Sequence, residues 1–210
     1  MRDVYFVRHG HTEANEKKLF NPPEIELTEK GILQAKRIEQ GCSVFPVDVI
    51  LTSDYKRAVQ TAEIANRLIK KEIIESELLR EIRRPSELYN KEQNADGSEK
   101  VIDEIHEHSN DPSWHYSDEE NFTEFKSRVI KALSMVVNRP EQYVFVVTHS
   151  KTLKMIMGLI LCGGDLPLDL YLQFDEVLTT SNTGITHASY NDGKWELVTW
   201  NDHAHLGLSE

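Results

Sequence analysis

Cysteine is nearly missing from this chain. Cys42 and Cys162 are the only two, with no spacing that suggests a metal cluster, and both are expected as buried free thiols and not as a disulfide. No apolar run approaches the length that spans a bilayer, and no basic-then-apolar leader opens the sequence, so the cytoplasm is the expected location. Basic residues are in deficit: 24 Lys and Arg stand against 35 Asp and Glu, a net charge of −11, which argues against nucleic acid and membrane as partners. The deficit is local. Residues 85–125 hold twelve acidic and two basic side chains, and the rest, with 23 and 22, is close to neutral. With 39% hydrophobic and 28% charged residues wholesale disorder is excluded. The length suits a single α/β domain over residues 1–210 carrying an insertion.

The first strand sets the plan. Val4-Tyr5-Phe6-Val7 is apolar and β-prone, and it stops at Arg8-His9-Gly10, where the glycine lets the backbone turn. A short helix is expected over Thr12 to Phe20, broken by Pro22-Pro23. Thr28 reads as the N-cap of Glu29 to Gln40, with Ile32, Leu33, Ala35 and Ile38 inward. Val47 to Ser53 reads as a strand, and Ser53 or Asp54 as the cap of a helix with Ala58, Ala62, Ala65 and Leu68 inward. Lys71 to Ile82 reads as a third strand ending at Leu78-Leu79-Arg80-Glu81. Periodicity then lapses over about 83–120, the acidic stretch, which reads as an inserted lid. It returns with the stripe Phe122, Phe125, Val129, Leu133 and Val136. Tyr143 to Thr148 is apolar throughout, as a strand covered on both faces must be, and it ends at His149-Ser150. Asn191-Asp192-Gly193 joins two hairpin strands. Strands alternating with helices predict a three-layer α/β/α sandwich on a mainly parallel central sheet.

Such sheets place their sites beyond the carboxyl ends of the strands. Arg8, His9, Arg57, Glu81 and His149 all fall at such ends. Two guanidiniums and two imidazoles without an evident metal set describe a pocket for a phosphoryl group, whose oxygens favour charged, forked donors. His9 can attack phosphorus to give a phosphohistidine once it is neutral, and Arg8 and Arg57 favour that form by repulsion. His149 can donate to the phosphoryl oxygens, Asn15 adds a neutral donor, and Ser150 joins the phosphate-binding set. Glu81 is the best-placed acid for a departing alkoxide. Arg83, Arg84, Trp114 and Tyr116 are candidates for a leaving-group pocket.

The blocks Arg8-His9-Gly10-His11-Thr12-Glu13-Ala14-Asn15, Leu27-Thr28-Glu29-Lys30-Gly31 and Thr52-Ser53-Asp54-Tyr55-Lys56-Arg57-Ala58 resemble the histidine phosphatase, or phosphoglycerate-mutase-like, superfamily. So do Leu79-Arg80-Glu81, Glu120-Asn121-Phe122 leading to Arg128, and Val147-Thr148-His149-Ser150. The resemblance implies that His9 is phosphorylated, that Arg8, Arg57 and His149 complete the phosphate pocket with help from Asn15, and that Glu81 donates the proton. It implies no metal and no other cofactor. Around the acid the family's mutases carry a different sequence from the Ile82-Arg83-Arg84-Pro85 found here, which points to the phosphatase branch.

The expected activity is therefore metal-independent hydrolysis of small phosphate monoesters, with a small phosphorylated metabolite as partner. The acidic insertion, if it covers the pocket, favours monoesters over bisphosphates. Two alternatives stand beside it: mutase-type transfer to a second hydroxyl, and a weakly catalytic phospho-ligand binding module. His9-x-His11 also permits a metallohydrolase reading, which needs further ligands, with His106, His108, His203 and His205 as the histidines to supply them. Oligomeric state stays open, a homodimer included.

Overall fold

The computed structural model describes residues 1–41, 46–109 and 111–207. Its centre is a six-stranded sheet of β1 (Arg2–Arg8), β2 (Val49–Thr52), β3 (Glu72–Glu75), β4 (Tyr143–Thr148), β5 (Ile185–Asn191) and β6 (Lys194–Asp202), in the order β3-β2-β4-β1-β5-β6. The first four in that order run parallel, and β5 and β6 are antiparallel additions. Among the described residues seven α-helices accompany it: α1 (Glu13–Glu16), α2 (Glu29–Gly41), α3 (Lys56–Ile69), α4 (Asp96–Glu107), α5 (Phe122–Val137), α6 (Ser150–Cys162) and α7 (Leu168–Val177).

The apolar runs of the central strands divide their side chains between two cores, as alternation on a pleated strand requires. Val4, Phe6, Leu51, Val144 and Val146 pack with α5, α6 and Tyr171 of α7. Tyr5, Val7, Ile50, Phe145 and Val147 pack with Ile38 of α2 and the alanine stripe of α3, Ala58, Ala62 and Ala65. The β5–β6 hairpin turns through Asp192 and Gly193, at φ +49° and +81°. Positive φ at both central residues matches the right-handed twist of the flanking strands.

Several expectations are corrected. β3 is only four residues long, and Ser76 caps a 3₁₀ turn over 77–79, donated to by Leu78 N–H. Leu79 there is fully buried in the α5–α6 core, so burying it bends the chain off the sheet edge, and Glu81 follows this turn instead of ending a strand. The acidic insertion contains α4, whose short apolar set Val101, Ile102 and Ile105 is a weak helical signature, and α7 was not anticipated. Ile32, Leu33 and Leu68 are exposed: the buried stripe of α2 is Gly31, Gln34, Ala35 and Ile38. The first helix is shorter than expected, because Thr12 and Asn15 close a capping box and Lys18 is left-handed at φ +53°. Neither Ser53 nor Asp54 caps α3. Ser53 bonds Tyr55 N–H, and Asp54 forms an ion pair with Arg80. Cys162 is free but exposed, and Cys42 lies outside the described residues. Thr28 does cap α2, accepting from Gly31 N–H at 3.2 Å.

Candidate active site

The sheet register brings the two histidines together. β1 pairs with β4 in parallel so that Arg8 lies opposite Thr148, and the ladder runs one step further through His9 N–H to Thr148 C=O, 2.9 Å. The next residues on both strands are therefore His9 and His149, whose ring centroids are 5.2 Å apart. Gly10 makes the exit from β1. A Cβ on it would meet the Gly31 carbonyl oxygen at 2.7 Å, so only glycine lets this loop lie against the start of α2. Gly10 N–H also donates to Thr61 Oγ1 (3.0 Å), which donates to Arg57 C=O (2.7 Å), so the His-Gly turn is tied to the helix that carries Arg57.

His9 Nδ1 lies 2.7 Å from its neighbour's carbonyl, Gly10 C=O. A carbonyl can only accept, so Nδ1 holds the proton and Nε2 keeps its lone pair, toward which Arg57 Nε–H points at 3.2 Å. Burial first, then the Arg57 and Arg8 charges, hold the His9 pKa well below the usual histidine value. His149, fully buried, is depressed in the same way by burial, Arg57 and His9. Burial also brings Arg57 down to about 10. Both imidazoles are thus neutral beside guanidiniums that remain charged at neutral pH. His149 Nδ1 and Nε2 and Arg8 Nε are buried without a hydrogen-bond partner among the described residues. Buried polar atoms are almost always paired, so their concentration here marks a place built for a polar guest. Arg8 is anchored at its far end by Thr180 C=O. Asn15 turns its Oδ1 to Thr12 N–H and Asn182 Nδ2 (3.2 and 3.1 Å), which leaves its amide N–H₂ as a donor.

A cavity of about 550 Å³ opens over these groups, lined at this end by Arg8, His9, Asn15, Tyr55, Arg57, Glu81 and Ser150. Glu81 caps α6 from outside the helix. Its Oε1 accepts from Thr152 N–H (3.0 Å) and Ile82 N–H (3.1 Å), and its Oε2 from Lys151 N–H alone (3.1 Å), while the Thr152 hydroxyl donates to Arg80 C=O at 2.7 Å. A carboxyl at the positive end of a helix dipole is favoured there, and the hydroxyl of Ser150, the first residue of α6, pairs with Thr180 Oγ1 at 2.7 Å. The Glu81 segment is itself held by Arg128, which donates to the carbonyls of Leu78, Arg80 and Glu81 and forms a forked ion pair with Glu120 (2.7 and 2.8 Å).

Of the expected leaving-group residues only Arg84 lines the cavity. Arg83 donates to the carbonyls of Asp118 and Glu119, Trp114 stacks on His108 at 4.3 Å, and the Tyr116 hydroxyl reaches Glu87. Residues 111–120 fold on their own turns, with Glu119 accepting from the N–H groups of Tyr116 and Ser117, and so point these side chains away. The far walls are instead Phe20, Asn21, Tyr89 and Gln93, Ile102 with Glu99 and Asp103 from α4, and Lys151 with Lys154. The signal for the lysines was present, since they sit three apart just beyond His149-Ser150. No group of three or more His, Cys, Asp or Glu suited to a metal occurs among the described residues, so the His-x-His pair gains no ligand partners. No helix among the described residues is long and apolar enough to cross a membrane.

The model of the histidine phosphatase superfamily (branch 1) matches residues 4–203. The chain belongs to this superfamily. It is 26% identical to "Probable phosphoglycerate mutase GpmB" of Proteus mirabilis over 95% of this chain and 90% of that protein. It is also 26% identical to "Uncharacterized phosphatase PhoE" of Bacillus subtilis, over 98% and 97% respectively. Among solved structures, Bacillus stearothermophilus YhfR superposes with a TM-score of 0.80 at 26% identity, covering 98% of this chain and all of that one.

Proposed function

We propose that this chain is a metal-independent phosphatase that hydrolyses small phosphate monoesters through a phosphohistidine on His9. The observation that carries the reading is the tautomer of His9: Nδ1 tied to Gly10 C=O and a neutral ring presenting Nε2 beside Arg57. In the first step Nε2 attacks phosphorus and the bond to the ester oxygen breaks. The Glu81 carboxyl, through Oε2, the oxygen with one hydrogen bond, gives its proton to the leaving alkoxide. In the second, the Glu81 carboxylate takes a proton from water, whose oxygen attacks phosphorus, and the phosphorus–nitrogen bond breaks. Arg8, Arg57 and His149 hold the transferring oxygens throughout, and their donors are already in place before charge redistributes.

The test is turnover of p-nitrophenyl phosphate. Activity should persist in chelator, fall with vanadate, and drop by at least about 10³-fold in His9→Ala. Activity that chelator abolishes, or that survives in His9→Ala, would end this reading. The resemblance to GpmB favours one second reading, transfer to another hydroxyl. Phosphorus NMR on a phosphorylated diol separates the two: inorganic phosphate marks hydrolysis, and a positional isomer marks the mutase.

A further inference from the structure

The cavity continues past its phosphate end, and there its walls carry both signs of charge. The inner wall holds Arg84, Lys151 and Lys154. The two lysines share one carboxylate, Asp175. Lys154 is buried, and Arg84, half-buried, has no hydrogen-bond or ion-pair partner among the described residues. Three cations stand here against Asp175 and, at the phosphate end, Glu81, which leaves this wall positive. Lys151 registers the crowding: burial lowers its pKa, Asp175 opposes that, and Arg84 adds to the lowering.

The α4 side is the reverse. Glu99 and Asp103, four residues apart on one face of the helix, both line the cavity with Ile102 between them. Among the described residues, they are the only carboxylates of the acidic stretch 85–125 that do. Like charges at this spacing repel, and neither carboxylate pairs with a cation among the described residues, although Arg84 and Lys151 line the same space. Among the described residues no ion pair joins the two sets. Phe20, Ile82 and Tyr89 add apolar surface, which strengthens any charge pair formed beside it.

We propose that this end of the cavity selects phosphate esters whose alcohol is amphoteric, with an anionic group paired to Arg84 and Lys151 and an ammonium paired to Glu99 and Asp103. Hydroxylated amino-carboxylates are the simplest compounds of this class. The proposal rests on the phosphatase reading. A purely anionic alcohol meets the carboxylates of α4, a purely cationic one meets Arg84, and a neutral one leaves both walls unpaired, so only the amphoteric alcohol gains from each.

The experiment compares kcat/KM for O-phosphoserine, 3-phosphoglycerate, phosphoethanolamine and glycerol 3-phosphate, whose alcohols are amphoteric, anionic, cationic and neutral, with p-nitrophenyl phosphate as reference. Phosphoserine is expected to lead the other three by about tenfold or more. Arg84→Gln should cut the ratio of phosphoserine to p-nitrophenyl phosphate about tenfold, and the double variant Glu99→Gln/Asp103→Asn should shift preference from phosphoserine toward 3-phosphoglycerate. Equal or better turnover of the anionic, cationic or neutral ester, or ratios unmoved by both variants, overturns the proposal. If no ester is turned over, the phosphatase reading falls by itself. Calorimetric binding of the same four esters to the wild-type protein then decides the charge selection, with the same order expected and a flat or reversed order fatal.

Discussion

The two ends of the cavity are built on different foundations. The phosphate end stands on β1 and β4, the central strands, whose core side chains are almost wholly buried on both faces. Its key groups, His9, Arg57 and His149, are buried as well. The other end leans on α4, a twelve-residue helix in which only Ser98 and Ile105 are buried. On the proposed reading, the part of a substrate shared by every phosphate ester meets side chains fixed in the core, and the part that varies meets a lightly packed surface helix. Catalysis needs reacting groups held to a fraction of an ångström, whereas a leaving-group wall tolerates adjustment and replacement.

Stability should divide along the same line. Phe145→Ala, in the α2–α3 core, is expected to cost about 3–5 kcal/mol, and Ile105→Ala, on the lightly packed α4, about 2 kcal/mol, read from urea unfolding midpoints. Similar losses for the two would dissolve the contrast. Activity provides the next measure. Arg57→Gln should lower kcat/KM by about 10²–10³-fold on every ester tried, because it removes a donor to the phosphoryl group itself. A loss confined to one class of alcohol would show that Arg57 belongs functionally with the far wall.

The smallest expected effect sharpens the electrostatics of the buried end. His9 and His149 both bind protons less readily folded than unfolded, since burial and the nearby guanidiniums depress them. Stability from this source is complete above the unfolded value, about pH 6.5, and is lost as pH falls, at up to about 1.4 kcal/mol per pH unit for each ring. Replacing His149 by Asn should roughly halve this contribution to the slope between pH 6.5 and 5. A slope unchanged by that replacement would mean that the ring is protonated in the native state.

Much of the phosphate end was legible in the residues. Apolar runs ending at Arg8-His9 and Thr148-His149 identified two neighbouring parallel strands, and the sheet rule placed their ends together. The leaving-group end was not legible. Trp114 and Tyr116 looked like pocket material by type, yet Glu119 and the turns of residues 111–120 direct them elsewhere. Glu81 lines the cavity for a reason other than the expected one: instead of ending a strand it follows a 3₁₀ turn, is held by Arg128 and caps α6.

The sequence by itself determined the alternation of strands and helices, the two histidines with their arginines, and where the acidity lies, because each is a local pattern or a count. Only the tertiary structure decided which tautomer His9 presents, which carboxylates of the acidic stretch face the cavity, and that Lys151 and Lys154 join Arg84 on one wall. Those follow from long-range packing and hydrogen bonds between segments far apart in the chain, and no local pattern encodes them.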